Sequence, residues 1–213
     1  MRAFVAVTIP KPFRDALASE AASLAAVSRH IRTVTPENLH LTLAFLGNIP
    51  AQSTDSVRSG MQAAVRGRHP FSIGFSGGGT FPENREPRVA WAGISGETEA
   101  LRDLQAAVLE AVRGLGLRVD RRPFSPHVTL ARIGRMAAPT ARRSISRGFE
   151  ALELDRLGLF TVSHISLMES DLTPTGAIHH EAFSVDFTPD EVSVEAPPKR
   201  RFGLFLGRIF GRA

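Results

Sequence analysis

Polar and apolar residues alternate between positions 38 and 45, which is the period of a β-strand with one buried face. We expect the buried face to be formed by Leu39, Leu41, Leu43 and Phe45. The opposite face carries Asn38, His40, Thr42 and Ala44. An imidazole and a hydroxyl therefore share one face of this strand, about 6–7 Å apart at the usual rise per residue.

The same pattern returns later in the chain. Residues 125–134 repeat the order His, apolar, Thr, Leu, Ala, followed by a Gly seven positions after the His. The two histidines, His40 and His127, are 87 residues apart. A single His-x-Thr is weak evidence, because a half-buried strand often carries both residues by chance. Two copies in one longer frame indicate a duplicated functional element.

The remaining periodicity predicts alternating helices and strands. Apolar spacing indicates helices over residues 14–28, 54–65, 97–115 and 140–147. Strands are predicted at 2–9, 71–75, 88–94, 117–119, 149–154, 159–168 and 180–187. Glycines 77–79 predict a flexible turn, since no Lys-Ser/Thr pair or helix start follows them as a phosphate-binding loop requires. Each half runs strand, helix, turn and His strand, so we expect two pseudo-twofold lobes with the His strands facing a cleft.

Composition narrows the class of protein. The 213 residues suffice for one large domain or two small lobes. The absence of Cys excludes disulfides, thiolate metal sites and Cys nucleophiles, and fits a reducing compartment. The apolar run from Phe4 to Ile9 is too short for a signal peptide, and no run reaches the length of a membrane span. We therefore expect a soluble, cytoplasmic protein. A net charge of +5 and a pI of about 11.0 suit a phosphate-bearing partner without specifying it.

The C-terminal segment differs from the rest. Pro197 and Pro198 interrupt the chain, and residues 199–213 carry five basic residues and no acidic one. Four apolar residues follow helical spacing: Phe202, Phe205, Leu206 and Ile209. A basic amphipathic helix of this kind binds an anionic membrane or a partner; the alternative is a disordered basic tail. We expect a domain over residues 1–187 and a linker with this tail over residues 188–213.

Two histidines facing one cleft indicate acid–base chemistry, because imidazole changes charge near neutral pH. Hydrolysis of a phosphodiester needs a base for the attacking water and an acid for the leaving alkoxide. The hydroxyls of Thr42 and Thr129 can donate hydrogen bonds to phosphoryl oxygens. Two alternatives remain, a metal site and purely structural histidines. Two histidines make a poor metal site, and His179 and His180 add ligands only if they fold into the cleft.

The paired motifs resemble the two-histidine (2H) phosphoesterase superfamily, and within it the RNA 2′,3′-cyclic phosphodiesterase, or 2′-5′ RNA ligase-like, group. The resemblance extends beyond the tetrads 40–43 and 127–130 and runs from Met1 to Phe187. It includes the flanking segments Asn38-Leu39, Phe45-Leu46-Gly47, Arg88-Val89-Ala90-Trp91 and Arg122-Pro123-Phe124 with Pro126.

This resemblance implies an α+β fold of two pseudo-symmetric lobes, each an antiparallel-rich sheet with helices on its outer face. It implies metal-independent hydrolysis, without a cofactor, of a 2′,3′-cyclic phosphate end of RNA to a 2′-phosphate and a 3′-hydroxyl. His40 would be the general acid that protonates the leaving 3′ oxygen, and His127 the general base that activates water. Thr42 and Thr129 would hold the phosphate. The substrate is RNA or a nucleotide, and we expect a monomer.

Several further residues are candidates for substrate contacts. Related sequences often carry Tyr near the position of His180; this chain has no Tyr, so His180 is a candidate substrate contact. Arg122 is a candidate phosphate or RNA contact, or else a surface ion pair. Trp91 and Phe81 could stack a base, although the apolar strand favours core packing for Trp91. Arg132 is expected to be a surface charge.

Two other functions stay open. The first is a related activity, ligation through a 2′-5′ bond or cleavage of another small cyclic or 2′-5′ linked nucleotide. The second is a non-catalytic RNA-binding or membrane-associated protein, to which the basic tail points.

Overall fold

The computed structural model describes residues 1–83, 86–117, 123–174 and 176–189. In these residues nine strands form one antiparallel sheet. The strands are β1 (Arg2–Thr8), β2 (Ile31–Thr33), β3 (His40–Asn48), β4 (Phe71–Phe81), β5 (Val89–Gly96), β6 (His127–Ile133), β7 (Leu159–Val162), β8 (His164–Thr173) and β9 (Gly176–Asp186). Their order is β7-β4-β5-β6-β3-β1-β8-β9, and β2 pairs with β6.

The two His strands lie side by side at the middle of the sheet. β3 and β6 are antiparallel and joined by the Leu41–Val128 pair. One half of the sheet extends from β6 through β5 and β4 to β7, and the other from β3 through β1 and β8 to β9. The α+β class and the two antiparallel halves are confirmed. The halves share a single sheet because their His strands meet edge to edge.

Four helices cover the apolar side of the sheet: α1 (Lys11–Ala25), α2 (Thr54–Val65), α3 (Thr98–Gly114) and α4 (Pro139–Glu150). α1 packs near β2 and β6 and contacts α4, whereas α3 packs on β3 and contacts α2. Each His strand is therefore backed by a helix against its buried positions. α1 begins three residues before the predicted start, because proline is tolerated in a first helical turn.

A β-bulge changes the face of Phe45. In the pairing of β1 with β3, Val5 is opposite Ala44 but Ala6 is opposite Thr42, so the register skips one residue of β3. Ala44 is consequently buried and Phe45 is 53% exposed. The prediction that Phe45 belongs to the buried face was wrong, since the bulge turns it to the face of His40.

The second His strand repeats this irregularity. Between β5 and β6, Ala90 is opposite Ala131 and Trp91 is opposite Thr129, so Leu130 is skipped. Ala131 is buried and Arg132 is exposed, in the same order as Ala44 and Phe45. The internal repeat therefore includes the bulge, and Arg132 shares the face of His127 and Thr129.

Two predicted strands differ in the structure, and a third is not tested. Residues 149–154 do not form a strand, because α4 continues to Glu150 and buries Phe149. The predicted strand 159–168 is interrupted at Ser163, where β7 ends its pairing with β4 and β8 begins its pairing with β1. The predicted strand 117–119 falls partly on residues 118 and 119, outside the described residues.

The three glycines at 77–79 lie within β4 and not in a flexible turn, so that prediction was wrong. A Cβ at Gly78 would overlap the Phe149 carbonyl of α4, and one at Gly79 would overlap the Trp91 ring. Small residues are required here because a helix backbone and an indole approach the strand from its two faces.

Among the described residues, no helix combines the length and apolar character needed to cross a bilayer. The tail from residue 190 onward lies outside the described residues, so the division at residue 187 stays a prediction.

Arg142 is a buried arginine that fixes the loop between β6 and α4. Its Nε donates to the Ala137 carbonyl at 2.7 Å and a terminal nitrogen donates to the Arg135 carbonyl at 2.6 Å. Its other terminal nitrogen is 3.4 Å from the Glu86 carboxylate. Arg142 is only 5% exposed, so these groups have little access to water.

We expect Arg142→Ala to destabilise the protein by about 2–4 kcal/mol, because two carbonyls and a carboxylate lose their donor. Urea unfolding followed by circular dichroism measures this change. The neighbouring Arg143 is exposed, so Arg143→Ala is the matched control and should change stability by less than about 0.5 kcal/mol. Equal unfolding midpoints for the two variants would contradict the role of Arg142.

Candidate active site

Two imidazoles and two hydroxyls share the face of the sheet opposite the helices. His40 and Thr42 are on β3, His127 and Thr129 are on β6, and all four are half-buried. Because Leu41 lies opposite Val128 in an antiparallel pair, the register sets His40 across from Thr129 and Thr42 across from His127. Each imidazole thus has the hydroxyl of the other strand as its neighbour across the cleft.

Both imidazoles are oriented by the same backbone contact. His40 Nδ1 donates to the Asn38 carbonyl at 2.8 Å, and His127 Nδ1 donates to the Ser125 carbonyl at 2.8 Å. A carbonyl oxygen can only accept, so the proton lies on Nδ1 in each ring. Nε2 is therefore the atom left for proton exchange with a substrate in the cleft.

His40 lies in an aromatic surrounding that disfavours its charged form. Its ring centroid is 4.6 Å from that of Phe4 and 5.1 Å from that of His179. Burial lowers the pKa of His40 to about 4, and the charges of His179 and His127 act in the same direction. The bond to the Asn38 carbonyl opposes this shift but does not reverse it. At neutral pH, His40 in the unliganded cleft is a neutral imidazole.

Asn38 ties the edge strand β9 to the start of β3. Its side-chain nitrogen donates to the Ala177 carbonyl at 2.9 Å, and its side-chain oxygen accepts from the backbone N–H of His179 at 3.0 Å. The backbone carbonyl of the same residue orients His40. One asparagine therefore fixes both the catalytic candidate and the strand that places His179 against it.

His179 is the third imidazole at the cleft. Its ring is nearly perpendicular to that of His40, at an interplanar angle of 88°, and also contacts Phe4 at 5.0 Å. Burial lowers the pKa of His179, and the nearby charges of His180 and Arg132 lower it further.

His127 has a different aromatic neighbour. The Phe81 ring meets it edge-on at 5.1 Å, and Phe81 in turn lies 5.1 Å from the Trp91 ring. Trp91 is opposite Thr129 and half-buried on the cleft side, over Gly79. The core position favoured by sequence for Trp91 was therefore wrong.

The other residues proposed from the sequence lie at different distances from the cleft or outside the described residues. His180 lies on the other face of β9, with its side chain 62% exposed and its Nε2 3.7 Å from the Asp171 carboxylate, whereas the ring of His179 contacts that of His40. Arg122 lies outside the described residues. Arg132 is exposed as predicted, but on the cleft face. Among the described residues, no three His, Cys, Asp or Glu side chains converge as metal ligands.

Sequence reasoning missed the roles of Asn38, His179, Arg132 and Phe45. The contacts of Asn38 join residues 139 and 141 positions apart, for which the local sequence has no signal. A signal for Arg132 and Phe45 existed, because the alanine after each Thr-Leu stands where both bulges occur.

Comparison with known proteins gives a consistent family. The sequence profile of the 2′-5′ RNA ligase superfamily matches residues 13–174. A protein of Methanothermobacter thermautotrophicus named RNA 2′,3′-cyclic phosphodiesterase is 33% identical over 180 residues, which is 84% of this chain and 95% of that protein. A protein of the same name from Archaeoglobus fulgidus is 34% identical over 184 residues, 85% of this chain and 97% of that protein.

Solved structures share the fold. The crystal structure of TT0787 of Thermus thermophilus has a TM-score of 0.72 and 28% identity, and the match covers 88% of this chain and 98% of that one. Escherichia coli LigT complexed with 3′-AMP has a TM-score of 0.66 at 22% identity, with 88% and 98% covered. The LigT comparison, at this identity, supports the fold alone.

We expect Asn38→Ala to release β9 from the start of β3 while the backbone carbonyl at this position remains. The Ala177 carbonyl and the His179 N–H then lose their partner, which destabilises the protein by about 1–3 kcal/mol. The pKa of His40 should rise, because His179 and the burial it provides are displaced. Thermal unfolding and NMR titration of the imidazole carbons measure the two effects. An unchanged pKa of His40 in this variant would contradict the role of Asn38 in holding β9 and His179 against His40.

The pKa of His40 also predicts how stability depends on pH. The folded-state pKa of about 4 lies below the unfolded value of 6.5, so the unfolded chain binds this proton more readily. The stabilisation from neutral His40 is complete above about pH 6.5 and is lost as the pH falls through about 4, with a total of up to about 3 kcal/mol.

Urea unfolding of wild type and His40→Gln between pH 7.5 and pH 4 tests this expectation, and the variant should lose less stability on acidification. His69→Gln, which changes an exposed histidine, serves as the control and should follow wild type. Parallel curves for wild type and His40→Gln would contradict it.

Proposed function

The chain belongs to the 2′-5′ RNA ligase superfamily, and from this membership we propose that it hydrolyses 2′,3′-cyclic phosphate ends of RNA to a 2′-phosphate and a 3′-hydroxyl. The observation that carries the proposal is the antiparallel pair of His-x-Thr strands, which sets each imidazole across from a hydroxyl of the other strand. Relatives of similar length bear the name of this activity. We further propose that the enzyme acts as a cytoplasmic monomer.

In this mechanism the phosphorus lies between the two Nε2 atoms. His127 takes a proton from water as the water oxygen forms a bond to phosphorus. The bond from phosphorus to the 3′ oxygen breaks, and His40 gives its proton to that oxygen. Attacking and leaving oxygens are in line on opposite sides of phosphorus, so an acid and a base on two adjacent strands suit the displacement.

The hydroxyls of Thr42 and Thr129 are proposed to donate to the non-bridging phosphoryl oxygens. Each hydroxyl is proposed to bind one non-bridging oxygen, while the neighbouring imidazole exchanges a proton with the attacking or the leaving oxygen. Charge increases on these oxygens in the transition state, so donors fixed on strands stabilise it more than the ground state.

His40 must be protonated to act as the acid, although its pKa is lowered to about 4 in the unliganded cleft. A bound phosphodiester supplies a negative charge next to the ring, which favours imidazolium and raises this pKa. We propose that substrate binding therefore protonates the acid. Arg132, exposed on the same face beyond Thr129, adds positive charge for the phosphate.

Three further proposals concern substrate contacts and the C-terminal segment. Arg122 is kept as a candidate phosphate or RNA contact, while the substrate contact first assigned to His180 is assigned to His179. Residues 188–213 are proposed to form a linker and a basic tail that contacts an anionic membrane or a partner, independent of catalysis.

We expect an octaribonucleotide with a 2′,3′-cyclic phosphate end to be converted to the 2′-phosphate in the presence of EDTA. His40→Gln and His127→Gln should each lower kcat by about 10²–10⁴, because each removes a proton-transfer group. Thr42→Val and Thr129→Val should each lower it by about 10²–10³ with little change in KM. ³¹P NMR of the product identifies the phosphate position, and initial rates give kcat.

His69→Gln is the control and should retain wild-type activity. Retained activity in both cleft histidine variants, or a 3′-phosphate product, would overturn the proposed mechanism. Joining of the cyclic end to a 5′-hydroxyl strand would favour the ligase activity, and RNA binding without turnover would favour a non-catalytic function.

A further inference from the structure

Within residues 1–189, positive charge is concentrated in one segment. Residues 121–149 contain seven arginines and no Asp or Glu. The rest of residues 1–189 is acidic, with 14 Lys and Arg against 18 Asp and Glu. This segment includes β6, which carries His127, and most of α4. Among the described residues of this segment, four arginines are exposed on β6, on the loop after it and on α4: Arg132, Arg135, Arg143 and Arg147.

A groove lies between α4 and the outer edge of β4. β7 pairs with β4 from Phe71 to Gly74, and the groove begins beyond that point. Its volume is about 790 Å³, within the range of ligand sites in proteins, about 300–1,000 Å³. Its lining includes Gly79, Trp91, Arg135, Arg143 and Arg147.

Three of the arginines in the groove are free to bind a ligand. Arg135, Arg143 and Arg147 are exposed, and within the described part of the chain they make no ion pair. Arg143 and Arg147 are four residues apart on α4, so they lie on the same face of that helix.

The groove also contains carboxylates, and their positions set its net charge. Glu86 is bound by Arg88 at 2.6 Å and lies 3.4 Å from Arg142, so its charge is neutralised. Glu83 and Glu150 complete the acidic lining. Arg135, Arg143 and Arg147 outnumber these two carboxylates, so the groove keeps a net charge of +1.

Two aromatic rings lie between the groove and the candidate active site. Trp91 lines the groove and lies opposite Thr129 on β6. Phe81 contacts both the Trp91 ring and the His127 ring, each at 5.1 Å. A strand leaving the cleft on the His127 side would therefore pass aromatic rings and then the arginines. Aromatic rings beside a positive groove are the usual surface for single-stranded nucleic acid.

We propose that this groove binds the phosphodiester backbone of the RNA strand that ends in the cyclic phosphate. The inference rests on the proposed function and makes it more specific: the substrate is a polyribonucleotide, and a cyclic mononucleotide uses only the cleft. Arg143 and Arg147 contact backbone phosphates one or more nucleotides upstream of the reacting end. These contacts raise affinity for a strand without taking part in proton transfer.

The test compares the double variant Arg143→Gln/Arg147→Gln with wild type on two substrates. For an octaribonucleotide with a 2′,3′-cyclic end, kcat/KM should fall on the order of tenfold at low salt. For 2′,3′-cyclic AMP, kcat/KM should stay at the wild-type value. In wild type, kcat/KM should be larger for the octamer than for the mononucleotide.

Binding is measured separately, by fluorescence anisotropy with a labelled octaribonucleotide that ends in a 2′-phosphate. The slope of log Kd against log salt concentration should decrease by about 1.4 in the double variant, since each lost contact with a single-stranded phosphate removes about 0.7. The matched control is Arg66→Gln/Arg113→Gln, which removes the same charge from exposed positions at the ends of α2 and α3.

Equal losses of kcat/KM for the octamer and the mononucleotide would overturn the proposal that the groove binds RNA. Equal salt slopes for the double variant and wild type would overturn it as well. An equal loss in the matched control would reduce the effect to net charge and would also overturn it. If wild type hydrolyses neither substrate, the proposed function fails, and the binding measurement alone then decides whether the groove holds RNA.

Discussion

The antiparallel pairing of Leu41 with Val128 is the constraint on which the candidate site depends. Side chains alternate between the two faces of a strand, so a shift of one residue would turn His40 and Thr42 into the core. The pairing also determines which groups are neighbours, because it sets each histidine across from the threonine of the other strand. The carbonyl bonds to Nδ1 then fix both rings in one tautomer. Packing and backbone geometry thus arrange the chemistry before any substrate binds.

The two halves repeat this backbone but differ in the side chains around it. After each tetrad a bulge turns the residue five positions beyond the histidine toward the cleft, and this residue is Phe45 in one half and Arg132 in the other. The ring of His40 packs against those of Phe4 and His179, whereas His127 meets the edge of Phe81 alone among the ring contacts of the described residues. Two groups of the same type acquire distinct roles when their environments differ. Here the difference comes from the side chains that are not shared between the two halves.

The spacing of residues in the sequence predicted the elements whose burial depends on neighbouring residues of the same segment. The tetrads, the four helices and the pseudo-symmetric halves follow from periodicity and repetition, since burial of one face is written in residue spacing. The bulges were not predicted, because the alanine after each Thr-Leu gains this meaning only from the pairing with the neighbouring strand. The hydrogen bonds of Asn38 to β9 were not predicted either, because Ala177 is 139 residues further along the chain. α4 extends through Phe149 because its burial against β4 outweighs a local preference for a strand.

The burial of His40 links the charge of the cleft to the charge of its ligand. An imidazole packed against Phe4 and His179 holds a proton weakly, and the lowered pKa of about 4 expresses the missing solvation of the charged form. Nothing in that surrounding has to move for the pKa to rise, because a phosphodiester placed beside the ring supplies the counter-charge that water would otherwise provide. The same desolvation strengthens the attraction between imidazolium and phosphate, since the local dielectric constant is low. In the proposed mechanism, His40 therefore holds a proton most firmly when the leaving oxygen is present to receive it. The contact of His179 with His40, which the hydrogen bonds of Asn38 to β9 maintain, strengthens this coupling.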